Sequence, residues 1–316
     1  MHMEKVNCNL CDSSRKTLLL ESRNWLNNTK EYFNLMRCDN CGLVYLSPRP
    51  TKKLISSYYP DTYEPYNAEG KNTAERLSRN LLDGYYKKKK NILDYTKSIL
   101  TQLIYSPIPN DTPGKILDVG CGPGISLYNL KKFGWEVHGL DISQKAVSFA
   151  INNLGLKNVK RGFIEDTSYP EAYFDVIRMS HVIEHLGNPK KALLKIKKNL
   201  KKNGTLIITT PDFSSPFRSI FGPYWFPLES PRHFYLFTPK TISLLLGKVG
   251  GLKIFKTKHD ISAYYLAKSL SYVAGNKPIV NKALMILKIF FIPLTFLLSL
   301  VGKADVATYY IKKEDK

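Results

Sequence analysis

The chain is short of acid. It sets 26 Asp and Glu against 47 Lys and Arg, a formal net charge of +21, and has no Asp or Glu between Ile261 and Ala304. Such a charge calls for an anionic partner: RNA, phospholipid headgroups or a pyrophosphate-bearing substrate. Arginine is scarce as well, ten of the 47 basic residues. Because arginine is the commoner reader of base edges and bidentate phosphates, the charge alone does not select RNA. Only five cysteines are present, four of them in Cys8-x-x-Cys11 and Cys38-x-x-Cys41. That usage excludes a disulfide framework and suggests a reducing compartment and a metal. Met1 to Val6 is charged and no apolar run follows it, which is not the pattern of a signal peptide.

What the chain does have is a strand, a glycine turn and a helix. Lys115 to Val119 read as a short buried strand, Gly120, Gly122 and Gly124 make the turn, and Ser126 to Phe133 carry a helical pattern. Such a turn aims bare backbone N–H groups at a ligand, and glycine lets the backbone approach it. The spacing is G-x-G-x-G rather than the G-x-G-x-x-G of a dinucleotide site, so a dehydrogenase fits less well. An acid, Asp118, closes the strand. About twenty residues past the turn a second strand ends in Asp141, a carboxylate placed to suit a ribose diol.

These features, with Asp118 and Asp141 in register, resemble motif I and its partner acid in the class I S-adenosylmethionine (SAM) dependent methyltransferases. The resemblance covers residues 113 to 260 together with 305 to 316. It implies a Rossmann-like α/β fold, a seven-stranded doubly wound sheet whose last strand is antiparallel. The alternation of strands and helices from Gly114 onward points the same way. For SAM it implies Asp118, Gly120, Cys121, Gly122 and Gly124 at the turn, Asp141 and Ile142 at the second strand, and Ile164, Glu165 and Asp166 around the adenine. Ser180 and His181 would stand by the methionine part. Ser180-His181-Val182-Ile183-Glu184-His185-Leu186 resembles the signature that follows the fourth strand in many small-molecule and sugar methyltransferases. A metal at His181 and His185 is rejected, since the order is not H-E-x-x-H and no third ligand is evident.

The flanks carry the rest. Residues 1–50 are expected to form a zinc-ribbon-like module in which Cys8, Cys11, Cys38 and Cys41 hold a structural Zn²⁺. Residues 51–112 read as a basic helical linker covering the cofactor, with Tyr59 and Tyr63 as lid candidates. Between strands six and seven lies an apolar insertion, residues 261–304. Its run Leu284 to Gly302 is nineteen residues long and interrupted by Lys288 and Pro293. An insertion that leaves and returns on one side of a sheet suits an in-plane hairpin on an anionic membrane surface better than a crossing. The alternative is that it buries itself in the protein or in a homodimer.

The module followed by Gly42 to Pro50 resembles the zinc-bearing branch found in surface-glycan and sugar pathways. The extra domain of its sugar C-methyltransferases is not matched here, which points to O-methylation of a sugar or a polyprenyl-linked glycan, in the cytoplasm or at the inner face of its membrane. Loop 213–237 is the expected acceptor platform. Within it His233 is the first choice of base, His181 (outside the loop) the second, and Tyr224 and Glu229 follow. RNA methylation and nucleotide-sugar C-methylation are the alternatives. RNA fits less well because no Asn/Asp-Pro-Pro-Tyr-type motif follows strand four.

Overall fold

A computed structural model describes residues 3–27, 29–59 and 112–314. Tyr63 and most of the expected basic linker lie outside the described residues. Seven strands form one sheet: β6 (Lys115–Val119), β7 (Glu136–Asp141), β8 (Val159–Arg161), β9 (Phe174–Ser180), β10 (Leu200–Pro211), β12 (Leu252–His259) and β13 (Val306–Lys313). Their order is β12-β13-β10-β9-β6-β7-β8, and β13 runs antiparallel to both neighbours. This is the doubly wound sheet with a reversed last strand that the family resemblance implied. Its central strands are buried on both faces, which is why they read as near-continuous apolar runs.

Helices α1 (Ile125–Lys132), α2 (Gln144–Asn152) and α3 (Pro189–Asn199) follow β6, β7 and β9. Ser143 caps α2 by accepting from the Ala146 amide, and Asn188 caps α3 by accepting from Lys191. Helix α4 (Pro216–Phe221) opens the loop after β10, and α5 (Pro239–Val249) precedes β12 behind a capping box formed by Thr238 and Thr241.

The cysteine-bearing module contains β1 (Met3–Glu4), β2 (Lys16–Arg23), β3 (Tyr32–Cys38), β4 (Val44–Leu46) and β5 (Arg49–Pro50). It does not stand apart. Strand β11 (Tyr235–Leu236), from the acceptor loop, adds to β4 and completes a four-stranded sheet in the order β11-β4-β3-β2. Leu35, Tyr45 and Leu46 join Phe234 and Phe237 in one continuous core with the large sheet. A two-residue strand whose partners, Tyr45 and Val44, lie so far back in the chain leaves no periodic trace, so the loop reads as irregular in the sequence.

The insertion folds as α6 (Ala263–Val273), α7 (Pro278–Leu287), a 3₁₀ turn (Lys288–Phe291) and α8 (Ile292–Leu300). Helix α6 packs into the protein through Leu266, Ala267 and Tyr272. The stretch Pro278–Leu300 is mostly exposed: its 23 residues are long and apolar enough to cross a bilayer, and only 6% of an 18-residue window within it is buried. Ile279 is 86% exposed and Phe290 74%. Among the described residues most of the run is therefore uncovered, Thr295 being buried and Phe291 and Leu298 packing against the core.

Candidate active site

The carboxyl edges of β6, β7, β8 and β9 open into a cavity of about 1640 Å³. Ordinary small-molecule sites hold roughly 300–1,000 Å³, so this one has room for a cofactor and a sizeable acceptor together. The acceptor loop, α6 and segments of the N-terminal module close its other sides.

Nine of the twelve residues expected at the cofactor line it: Gly120, Gly122, Asp141, Ile142, Ile164, Glu165, Asp166, Ser180 and His181. Gly120 has φ +72°, and a Cβ there would sit 2.4 Å from Val182 Cγ2. Gly122, at φ +52°, donates its amide to Asp141 Oδ2 at 2.7 Å, while Asp141 Oδ1 accepts from the Ser143 amide at 2.8 Å. Asp141 thus shapes the turn and keeps further lone pairs for a diol. Burial raises its pKa. At the adenine corner the two acids separate. Asp166 is exposed and bonded to Lys52 Nζ at 2.6 Å, whose charge lowers its pKa. Glu165 Oε2 is buried with no hydrogen-bond partner among the described residues. A buried acceptor lacking a donor fits an exocyclic amine. Glycine turn, diol acid and orphan carboxylate together fit SAM.

Three of the twelve do not reach the cavity. Asp118 is 4% exposed and paired with Arg178, its Cα partner on β9, through Arg178 Nε at 2.9 Å and Nη2; Nη2 also donates to Ser126 Oγ at 2.8 Å. Asp118 is thus held beneath the turn by Arg178 and is not among the residues lining the cavity. Cys121 turns its sulfur toward Gly139, and Gly124 lies under Leu156 and Ala150, so both are packing positions.

The other half of the cavity carries histidines. His181 follows β9 at φ +54°, in the left-handed region where a non-glycine residue costs about 1–3 kcal/mol. Its Nδ1 lies 3.4 Å from Glu184 Oε1, and its Nε2 lies 3.4 Å from the Tyr265 hydroxyl. Burial disfavours its charged form, but the Glu184 carboxylate outweighs this and raises its pKa. Glu184 is fully buried and accepts from Thr210 Oγ1 at 3.1 Å. Burial opposes its charge, yet the adjoining His181 and the other histidines hold its pKa at about 2. His233 lines the cavity, 4% exposed, with Nδ1 donating to the Pro227 carbonyl at 2.7 Å. His185 Nδ1 donates to the Arg232 carbonyl at 2.9 Å and lies 3.2 Å from the Tyr59 hydroxyl. Burial and its neighbour His233 push His185 down to about 4.

His181 and His185 do not come together as a metal pair; it is Glu184, His185 and His233 whose potential ligand atoms lie within 4.8 Å of one another. One expectation changes here. Tyr224, proposed for catalysis, is not among the lining residues; its ring packs 5.4 Å from Trp25 of the N-terminal module. Glu229 does line the cavity and pairs with Arg232 at 3.1 Å. The motifs also missed Tyr264, Tyr265, Lys268 and Tyr272 on α6, and Leu26, Asn27 and Arg49 of the module. The cluster of tyrosines within an otherwise apolar insertion was the one available signal.

In the N-terminal module Cys8 Sγ lies 3.4 Å from Cys41 Sγ, and Cys11 Sγ lies 3.5 Å from Cys38 Sγ. Zn–S bonds near 2.3 Å in a tetrahedron set sulfurs about 3.8 Å apart, so the set is compatible with zinc.

Replacing Arg178 with Met should leave Asp118 buried without its cation and cost about 3–5 kcal/mol, read as a lowered denaturant midpoint. A loss below 1 kcal/mol would show that the pair does not brace the turn.

Residues 86–253 match the Methyltransf_23 family, a methyltransferase domain. A ubiquinone biosynthesis O-methyltransferase of Rickettsia akari is 34% identical over 99 residues, 30% of this chain and 39% of that protein. The mitochondrial ubiquinone biosynthesis O-methyltransferase of Schizosaccharomyces pombe is 32% identical over 102 residues, 30% of this chain and 37% of that protein. The match thus spans under half the length of these relatives. A crystal structure of a putative sarcosine dimethylglycine methyltransferase from Galdieria sulphuraria superposes with a TM-score of 0.47 at 17% identity, over 78% of this chain and 100% of that one. With more than half of its length inside the family match, around a turn and carboxylates that fit SAM, the chain belongs to the Methyltransf_23 family and carries its methyltransferase domain.

Proposed function

We propose that the enzyme O-methylates a sugar hydroxyl of a lipid-linked glycan intermediate while resting on an anionic membrane surface, the inner face of the cytoplasmic membrane. Helix α6 carries this reading. Its Tyr264, Tyr265, Lys268 and Tyr272 line the cavity, while α7 and the following 3₁₀ turn pack beside it, Lys268 Nζ donating to Asn281 Oδ1 at 3.2 Å. The exposed apolar stretch therefore adjoins the acceptor opening, as an acceptor with a lipid anchor requires. The aromatic lining suits sugar faces, and the O-methyltransferase names of the two relatives support oxygen as the atom methylated.

SAM brings an already activated methyl group, so the chain's task is to align the acceptor and take its proton. His181 is better disposed for this than His233. It is partly exposed in the cavity, its Nδ1 is backed by Glu184, and its Nε2 looks toward Tyr265 and the acceptor space. In this reading Nε2 accepts the hydroxyl proton as the bond to carbon forms, and Glu184 stabilises the resulting imidazolium. His233, deep in the wall, positions the loop. The four N-terminal sulfurs hold a structural zinc ion that stiffens the module walling the acceptor side.

Methyl-labelled SAM incubated with host lysate and membranes should leave label in the butanol extract. Label confined to water-soluble sugars or RNA would overturn the lipid-linked acceptor. His181→Ala should lower kcat by about 10²–10⁴-fold. A base works deprotonated, so activity should rise with pH through the raised pKa of His181. Glu184→Gln removes the charge that raises it and should move that limb to lower pH; an unmoved limb would take His181 out of the role. Metal analysis should find one zinc per chain, lost with a fall in Tm in Cys38→Ser.

A further inference from the structure

The histidine half of the cavity holds a set of groups that the proposed base explains only in part. One potential ligand atom from each of Glu184, His185 and His233 lies within 4.8 Å of the other two. Both imidazoles line the cavity, their centroids 4.6 Å apart, and the Glu184 carboxylate is fully buried. Each ring commits its Nδ1 to the backbone, His185 to the Arg232 carbonyl at 2.9 Å and His233 to the Pro227 carbonyl at 2.7 Å. A neutral imidazole that donates through Nδ1 keeps Nε2 as a lone-pair acceptor. Metal-bound histidines almost always give their other N–H to a carbonyl or carboxylate, and both rings already have that support. Glu229 Oε2 stands 3.9 Å from His233 Nε2 but is held by Arg232 at 3.1 Å, which sets it apart from the three.

Glu184 supplies a second, independent observation. Its Oε2 accepts from Thr210 Oγ1 at 3.1 Å, but its buried Oε1 has no hydrogen-bond partner among the described residues, His181 Nδ1 being an ion-pair neighbour at 3.4 Å. A carboxylate offers about four lone-pair sites, so facing His181 still leaves it free to bind another group. A proton joins two acceptors at most; a cation joins all three. We infer that Glu184, His185 and His233 form a site for an exchangeable divalent ion of the zinc class, bound through one carboxylate oxygen and two imidazoles. Imidazole favours such ions over magnesium and calcium, which prefer oxygen alone. Bonds of about 2.0–2.1 Å in a tetrahedron set donor atoms about 3.4 Å apart, so the ion draws the three groups inward. Three protein ligands leave a position open, and with both rings on the cavity wall it opens toward the acceptor. A hydroxyl oxygen of the acceptor is the natural fourth ligand. That last point rests on the function proposed above; the metal site itself does not.

The test titrates Co²⁺ into the full-length, zinc-loaded protein after dialysis against metal-free buffer, following visible d–d absorption and the heat of binding. One Co²⁺ per chain should bind, without the intense sulfur-to-metal charge-transfer bands that entry into the four-cysteine set would add. His185→Gln and His233→Gln should each weaken binding by more than about 100-fold, the upper end of what loss of a mere outer-shell partner costs. SAM affinity, measured alongside, should stay unchanged in both, and a variant that loses it is set aside in favour of the other. His181→Ala, next to the set but outside it, should still bind one ion. X-ray absorption of the native cobalt protein needs no variant and should show two imidazoles in a nitrogen and oxygen shell. A shell without imidazole, no stoichiometric uptake, uptake by the thiolates alone, or an affinity that survives both glutamine substitutions overturns the site. Label found only in water-soluble products would sink the lipid-linked acceptor and leave this metal site standing, so the two failures are told apart.

Discussion

One buried carboxylate organises the working end of this molecule. Glu184 has no exposed surface, yet it remains charged, and a buried charge persists only where its surroundings compensate it. Its side chain accepts from Thr210 on β10 and faces His181 just after β9. Its backbone carbonyl accepts from the Phe234 amide at 2.8 Å, just before β11. Because β11 continues the sheet of the cysteine module, the same residue ties the large sheet, the acceptor loop and the N-terminal module together. His185 and His233, their rings 4.6 Å apart, complete the shell.

A second buried acid does similar work on the far side of the loop. Asp305 accepts from Ser215 Oγ at 2.6 Å and Trp225 Nε1 at 2.8 Å, and burial lifts its pKa to about 6. The platform on which the acceptor would rest is thus pinned at one end by Glu184 and at the other by the residue preceding β13. A long irregular loop keeps a single shape when its polar anchors are satisfied in a low dielectric, where leaving them unpaired would be costly. The price of that rigidity is visible in His181, held in a left-handed conformation at the point where chemistry is expected.

The membrane reading and the catalytic reading meet on α6. Its buried side anchors the insertion, its tyrosines face the cavity, and its neighbours α7 and α8 leave their apolar side chains uncovered.

The local chemistry was legible in the sequence. The glycine turn, the acids closing β6 and β7 and the paired cysteines are short-range patterns, each reflecting a local demand such as backbone approach or a buried strand, whereas the reversed last strand was expected only through the family resemblance. Asp118 shows the limit. Its position on the strand was evident, but only the neighbouring strand, bringing Arg178 alongside, paired it beneath the turn and outside the cavity lining. Glu165 and Asp166 were indistinguishable until Lys52, more than a hundred residues away, engaged one of them. His181 and His233 could be ranked only by what stands behind them. Tertiary structure decided these roles because a side chain's function depends on its burial and on the charges around it. Those come from segments far apart in the chain, beyond the reach of any local pattern.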